Sequence, residues 1–358
     1  MGVTRPHARL MPLAALALLI VIVGSALAYA KPPAQTSAAS AVPTTTSLPM
    51  LPGVGIAAGA DLGFRSPSDR ARELDDYLSL GVVWIRHDFA WDVAEPEPGV
   101  FNWAPYDAVV DGARKRGLEV IVTLSYTPAW ANGGHADHRF APQRPRDFGE
   151  FAAAAVRRYA PLGVHAYEIW NEPNIGFWQP APNPVAYTAV LRAAYTAIHK
   201  VDPGAVVITG GMSPAGDGPS TYSPHTWLRA LYSQGAKPYF DAIGAHPYVD
   251  ADAGADSSDP GNPWYQLAGS TPSIRSIQAD HGDSAKRIWA TEVGCRREVA
   301  GCDGERLTRA LSLWHSYPWA GVLCWFTYWD PNEYGLVDGS WIRRPEWFAL
   351  RDAATLYR

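Results

Sequence analysis

The sequence has little of what nucleotide, nucleic-acid or metal sites require. No Gly-rich phosphate loop follows the first predicted strand, which argues against nucleotide binding. Charged residues make up only 18% of the 358 residues, the net charge is −5 and the pI is about 6.1. A nucleic-acid partner is therefore not expected.

Cysteine is scarce, with three in the chain. Cys295 and Cys302 flank a short loop, and an extracytoplasmic location would permit a disulfide between them. Cys324 lies in an apolar run and is interpreted as a small core residue. The pair supplies too few ligands for a metal, and the acid-rich residues 250–259 lack the Gly and Glu spacing of a calcium loop. We expect no metal and no organic cofactor.

Aromatic residues, in contrast, are abundant: 15 Trp and 17 Tyr, in a chain that is 47% hydrophobic. The core is therefore not limited by composition. Flat aromatic faces also suit polar, ring-shaped ligands with apolar faces, such as sugars.

The N-terminal segment has the composition of a secretory signal. Arg5 and Arg9 precede an uncharged run, residues 10–30, that ends in small residues with A-x-A cleavage sites. The run is also long enough to span a bilayer, so residues 1–30 are a signal peptide or an uncleaved anchor. In either case the arginines stay on the cytoplasmic side, and the remainder faces outside. Residues 31–52, rich in Pro, Ser, Thr and Ala, form a tether, and 53–358 a single folded domain.

Short apolar runs alternate with helix-period segments through residues 53–358. Strands are predicted at 55–60, 82–86, 118–124, 166–170, 205–209, 240–245, 287–291 and 321–326. Helices are predicted at 68–80, 106–116, 147–159, 184–200, 223–233, 272–281, 304–316 and 346–357. Eight such repeats with short joints predict the α/β class and a (β/α)8 TIM barrel. An open, doubly wound sheet is the alternative.

Two of the predicted strands end in glutamate. The fourth stops at Asn171-Glu172, because Pro173 prevents continuation of the strand, and the seventh runs into Glu292. In a (β/α)8 barrel the active site lies at the carboxyl ends of the strands. The fourth and seventh strands lie across the barrel from each other, so two inward-leaning glutamates can form the carboxylate pair of a retaining glycosidase.

The chain resembles a clan A glycoside hydrolase over essentially all of residues 53–358. The Trp-Asn-Glu-Pro stretch at 170–173 carries this resemblance. The runs 91–103 and 128–130 are most similar to family 39 and its neighbours, with family 5 cellulases next. Family 5 members usually carry a His after the third strand, where this chain has Ser125-Tyr126.

The resemblance implies roles for residues around both glutamates. Glu172 would be the acid/base and Glu292 the nucleophile. Asn171 would bind the sugar 2-hydroxyl, while Arg86 and Tyr248 would hydrogen-bond Glu292. The remaining predicted substrate-binding residues are His246, Tyr126, Trp130, Trp325 and Trp329.

Some of these assignments have structural alternatives. Arg86 could instead form an ion pair with Asp88 or Glu95. Of Trp325 and Trp329, one is expected to be the sugar platform and the other a core residue. Tyr126 and Trp130 are candidate walls of the cleft.

The sequence thus predicts a retaining β-glycoside hydrolase, secreted or membrane-anchored, with a carbohydrate substrate. Two alternatives stay open: a catalytically inactive carbohydrate-binding barrel, and a cell-wall transglycosylase that uses the same residues.

Overall fold

The computed structural model describes residues 52–249, 261–299, 302–331 and 333–356. The predicted signal or anchor segment (1–30), residues 31–51 of the predicted tether and the acid-rich residues 250–259 lie outside this range.

Eight parallel strands form a closed barrel in which each strand pairs with the next along the chain and the eighth pairs with the first. The strands are β1 Val54–Ala57, β2 Trp84–Ala90, β3 Glu119–Ser125, β4 Ala166–Asn171, β5 Val206–Gly211, β6 Ala242–Ala245, β7 Arg287–Val293 and β8 Ala320–Phe326. The predicted (β/α)8 barrel is confirmed. The largest boundary error is in β2, which was predicted to stop at residue 86. It continues because it stays buried and paired with β3 as far as Ala90.

Helices pack outside the strands. They are α1 Pro67–Leu80, α2 Trp91–Ala94, α3 Ala104–Arg114, α4 Pro145–Tyr159, α5 Pro184–Val201, α6 Pro224–Ser233, α7 Ile274–Asp280, α8 Gly304–Ser316 and α9 Pro345–Thr355. Short 3₁₀ segments lie at Asp61–Phe64, Ala160–Leu162 and Lys237–Tyr239, and a π-helical turn at Tyr265–Gly269. Within the described residues, no helix combines the length and the apolar character needed to cross a membrane.

Local capping explains where several helices begin and end. Asn183 accepts hydrogen bonds from the backbone N–H groups of the first turn of α5, and Gly81 ends α1 with φ at 79°. Helix α7 begins later than predicted because Ser273 and Ser276 form a reciprocal capping box there.

The core has two layers. One fills the barrel itself and includes Trp84 and Trp289, whose rings meet edge to face at 5.7 Å. A Cβ on Gly321 would lie 2.3 Å from the Trp289 ring, so glycine is required beside so large an interior residue. The other, larger layer lies between the strands and the helices.

Candidate active site

The end of β4 has an unusual backbone. Trp170 and Glu172 adopt φ angles of 74° and 43°, in the left-handed region that non-glycine residues rarely enter. The N–H of Glu172 still donates to the Gly211 carbonyl of β5, at 3.1 Å. The turn places Asn171 and Glu172 at the barrel mouth, where they are 7% and 9% exposed.

Arg86 of β2 joins the polar groups of the mouth. Its guanidinium is completely buried and donates from Nε to Glu168 (2.6 Å), from Nη1 to Glu292 (2.6 Å) and from Nη2 to Asn171 (2.7 Å). Burial lowers the pKa of Arg86, but the carboxylates of Glu168, Asp88 and Glu292 outweigh that effect and hold it well above its usual value. Arg86 therefore stays charged and fixes side chains of two strands, β4 and β7.

Glu168 is a third buried glutamate of the site. Its Oε2 accepts from Arg86 Nε and from Thr123 Oγ1 (2.9 Å). Its Oε1 accepts from the Gly211 N–H (3.0 Å) and from Thr291 Oγ1 (2.7 Å). Since four donors hold this carboxylate and none of it is exposed, it positions Arg86 and does not face a ligand.

Glu292 lies at the end of β7 with donors on both oxygens. Oε1 accepts from Arg86, and Oε2 accepts from Tyr248 Oη at 2.5 Å. His246 Nδ1 lies 3.6 Å from Oε2. Burial raises the pKa of Glu292, but His246, Arg86 and the Tyr248 hydrogen bond together hold it below its ordinary value. An ionised carboxylate with a fixed orientation results.

His246 lies between the two glutamates. Its Nδ1 is 3.1 Å from Glu172 Oε1 as well as 3.6 Å from Glu292 Oε2. Burial lowers its pKa, whereas the carboxylates of Glu292 and Glu172 raise it, with a net upward shift. A Cβ on Gly211 would lie 2.0 Å from Nε2 of this ring, so only glycine at that position of β5 leaves room for it.

Asp88, the other ion-pair candidate for Arg86, also belongs to the site. Its Oδ1 lies 3.3 Å from Arg86 Nη1, and its pKa is raised to about 6 by burial, against the attraction of Arg86. Glu95 is not a partner of Arg86: its carboxylate accepts from Trp91 Nε1 and from the Gly99 N–H. The predicted alternatives for Arg86 are thus not exclusive, because it contacts both Glu292 and Asp88.

Aromatic residues of the β3–α4 segment lie beside the mouth. Tyr126, half-buried with φ at 68°, stacks on His138 with ring centroids 4.2 Å apart. Trp130 packs edge to face on Trp91 and donates through Nε1 to a backbone carbonyl. Trp130 is thereby anchored, with part of its ring left accessible.

The two tryptophan candidates after and within β8 are placed differently. Trp325 is 3% exposed and belongs to the layer between strands and helices, so it is the core residue of the predicted pair. Trp329 is partly exposed, with Arg65 over its ring at 4.6 Å. Between them, Phe326 faces the barrel interior and contacts the rings of Tyr248 (6.3 Å) and Tyr334 (5.4 Å). The side chain that β8 contributes to the mouth is therefore Phe326.

Three residues of this site were missed from the sequence: Glu168, Asp88 and Phe326. Strand parity could have found them. Glu168 and Asp88 each lie two residues after an inward-facing residue, Ala166 and Arg86, and therefore face inward too. A charged residue inside a buried strand needs a buried partner.

Cys295 and Cys302 form the predicted disulfide, and Cys324 is buried inside the barrel. Across the described ranges, no three His, Cys, Asp or Glu side chains are grouped to hold a metal ion.

A (β/α)8 barrel with an Asn-Glu pair ending β4 and a second glutamate ending β7 defines a clan A glycoside hydrolase. The model of the family described as cellulase (glycosyl hydrolase family 5) matches residues 75–293, and the chain belongs to this family. Family 39, the first choice from sequence, is represented among the solved structures with the same fold.

Among curated relatives, a β-1,4-xylanase of Dictyoglomus thermophilum is 31% identical over 125 residues, covering 32% of this chain and 34% of its own. An endo-1,4-β-xylanase 1 of Gibberella zeae is 25% identical over 118 residues, covering 32% of each chain. The alignments thus span about a third of the length of these relatives.

Two solved structures show the likeness in fold. A family 39 glycoside hydrolase of Bacteroides cellulosilyticus has a TM-score of 0.67 at 20% identity, over 85% of this chain and 63% of its own. A GH5_18 protein of Streptomyces cattleya, bound to Manβ1-4GlcNAc, has a TM-score of 0.66 at 18% identity, over 86% and 81%.

Proposed function

We propose that this protein is a retaining β-glycoside hydrolase that cleaves O-glycosidic bonds of an oligo- or polysaccharide through a covalent glycosyl-enzyme. One observation carries the proposal: a single nitrogen, Nδ1 of His246, contacts the carboxylates of both Glu172 and Glu292, at 3.1 and 3.6 Å. Their oxygens are therefore close together, compatible with the spacing of about 5–5.5 Å between carboxyl groups that retaining enzymes use.

In the first step, Glu292 attacks the anomeric carbon while Glu172 protonates the oxygen of the leaving group. The bond from the anomeric carbon to that oxygen breaks, and an ester to Glu292 forms. The low pKa of Glu292 keeps it ionised for this attack. Arg86 and Tyr248 hold its two oxygens in place.

In the second step, Glu172, now ionised, takes a proton from water as the water attacks the anomeric carbon. The ester breaks, Glu292 leaves as a carboxylate, and Glu172 regains its proton. Asn171 is placed for the 2-hydroxyl of the bound sugar, because its Oδ1 is held by Arg86 and its side-chain N–H₂ group remains free to donate. Phe326 and Tyr126 form walls of the cleft.

Substitution of each glutamate tests the mechanism. Glu292→Ala is expected to abolish turnover of aryl β-glycosides, and azide should restore it with a product of inverted anomeric configuration. Glu172→Ala, with azide, should give a product of retained configuration. Glu119→Ala, at the start of β3, is the matched control and should leave turnover unchanged. Unchanged turnover in Glu292→Ala would contradict the proposal.

A screen of oligosaccharide substrates should separate hydrolysis from the two alternative functions, binding without catalysis and transglycosylation. Xylan, cellulose and mannan oligosaccharides are suitable, since the relatives include proteins named xylanase and mannosidase. Binding without turnover across the panel would favour an inactive barrel. Longer products with excess acceptor sugar would favour a transglycosylase.

We also propose that the barrel works outside the cytoplasm, secreted or anchored through residues 1–30. Support comes from Arg5, Arg9 and the uncharged run after them, together with the Cys295–Cys302 disulfide. The mass of the mature protein tests whether the segment is removed.

A further inference from the structure

A cavity of about 890 Å³ lies on the outer surface of the barrel, away from the carboxylate pair. One wall is helix α1, which contributes Ser68, Arg72, Asp75 and Ser79. These positions share one face of the helix. At about 1.5 Å per residue that face is ~16 Å long, so the cavity is an elongated groove.

The facing wall is aromatic and apolar. It comes from α9 and the loop before it, and includes Trp341, Ile342 and Phe348. Ile342 is 64% exposed and Phe348 42% exposed. Large apolar side chains left open to solvent in a concave surface indicate a binding site.

The floor is fixed by Asp76. Its carboxylate is 8% exposed and accepts from Tyr328 Oη (2.8 Å) and Trp347 Nε1 (2.7 Å), and it pairs with Arg343. Arg343 balances the charge of the Asp76 carboxylate, and the two hydrogen bonds fix its position, so the groove has a rigid base.

Arg72 is an exposed cation in the wall of the groove. It lies over the Trp341 ring at 4.8 Å, and among the described residues no carboxylate pairs with it. On the same helix face, the Asp75 carboxylate and two serine hydroxyls add acceptors and donors; Asp75 Oδ1 is paired with Arg116 at 2.7 Å, and the Asp75 side chain is 66% exposed. Aromatic faces combined with planar charged groups and hydroxyls suit the alternating apolar faces and hydroxyl edges of a sugar chain.

The groove also adjoins the catalytic mouth. Trp341 packs against Trp329 with ring centroids 6.2 Å apart, and Arg65 lies over both rings. Trp329 follows Phe326 of the mouth by three residues. A chain that occupies the groove therefore lies next to the rim of the active site.

We propose that this groove is a second glycan-binding site, which holds a polysaccharide chain outside the catalytic centre. Phe348 and Ile342 contact the apolar faces of the sugars, and Arg72 and Asp75 bind their hydroxyls. The choice of a glycan as occupant rests on the proposed glycosidase function.

The test measures binding separately from catalysis. The full chain with Glu172→Ala is run in affinity electrophoresis against soluble xylan, carboxymethyl cellulose and galactomannan. Adding Arg72→Ala and Phe348→Ala should weaken binding of at least one polymer about 5–10-fold, the equivalent of one aromatic contact and one polar contact. Arg192→Ala is the matched control, since Arg192 lies over Tyr239 at the same 4.8 Å on another outer surface.

In an otherwise unchanged protein, Arg72→Ala with Phe348→Ala should leave kcat/KM on aryl glycosides as it was. Equal affinity of the groove variant and the control, or no binding of any polymer by the Glu172→Ala parent, would overturn the groove proposal. Groove-dependent binding in a protein that hydrolyses no glycoside would instead leave the groove standing and refute the glycosidase function.

Discussion

Glu168→Gln provides a severe test of the buried network around Arg86. The substitution changes neither the size nor the shape of the side chain. All four contacts of Glu168 are nevertheless with donors, two on each oxygen. A glutamine has one oxygen and one NH₂ group, which is itself a donor, so in either orientation its NH₂ must face donors.

The two hydroxyls can rotate and accept from that NH₂ group. The other two donors cannot, because Arg86 Nε and the Gly211 N–H only donate. One of these two donors is left buried without a partner, which costs about 1–3 kcal/mol. Arg86 also loses a carboxylate that compensates its buried charge. We therefore expect a loss of about 3–5 kcal/mol in the free energy of unfolding.

Urea unfolding of the two proteins measures this loss. Glu119→Gln is the control, because Glu119 also pairs with an arginine, Arg114, at 2.7 Å but is 45% exposed. An exposed pair contributes about 0–1 kcal/mol, so this control should unfold almost as the parent does. If Glu168→Gln were as stable as Glu119→Gln, the account of Glu168 as the fixed acceptor for Arg86 would be wrong.

Three further predictions address single contacts. Tyr248→Phe removes a hydrogen bond that lowers the pKa of Glu292, so the acidic limb of kcat/KM against pH should move to higher pH, and an unmoved limb would contradict this. Gly211→Ala forces a methyl group against His246. It should lower the melting temperature, with a loss of about 1–3 kcal/mol in the free energy of unfolding, and it should also lower kcat/KM. Burial raises the pKa of Glu73 to about 7, above its ordinary value, so its contribution to stability is complete below about pH 4.5 and is lost as pH rises through 7. Urea unfolding at pH 5 and pH 8 should show a loss of up to about 3 kcal/mol that Glu73→Gln lacks.

The fold was predictable because each local pattern agrees with the closed barrel. Buried parallel strands give short apolar runs, and residues such as Asn183 and Gly81 mark helix ends through their own chemistry. The errors in the predicted strand boundaries occur where the sequence does not mark the end of a strand. The polar residues after Arg86 indicated the end of β2, yet His87 is buried against Phe89 and Tyr106, Asp88 is buried beside Arg86, and pairing with β3 continues.

The site was predictable where side chains follow a strand and not where they lie inside one. Glu172 and Glu292 could be found because each ends an apolar run. Glu168 lies two residues before Trp170, within the run itself, and its importance depends on donors from four other strands that sequence spacing does not bring together. Trp325 illustrates the same limit, since a one-residue choice of strand parity decides between barrel interior and helix layer.

Arg86 connects the residues at strand ends and the residues inside strands into one site. A single buried cation faces Glu168, Glu292 and Asp88, and among these only Glu168 has all its lone-pair directions filled by fixed protein donors. Glu168 therefore anchors Arg86, which leaves Nη1 to hold Glu292, the proposed nucleophile, and Nη2 to orient Asn171. When an ester forms on Glu292, its charge is lost, and the carboxylates of Glu168 at 2.6 Å and Asp88 at 3.3 Å continue to balance Arg86. The buried charges thus remain compensated through both steps of the proposed reaction.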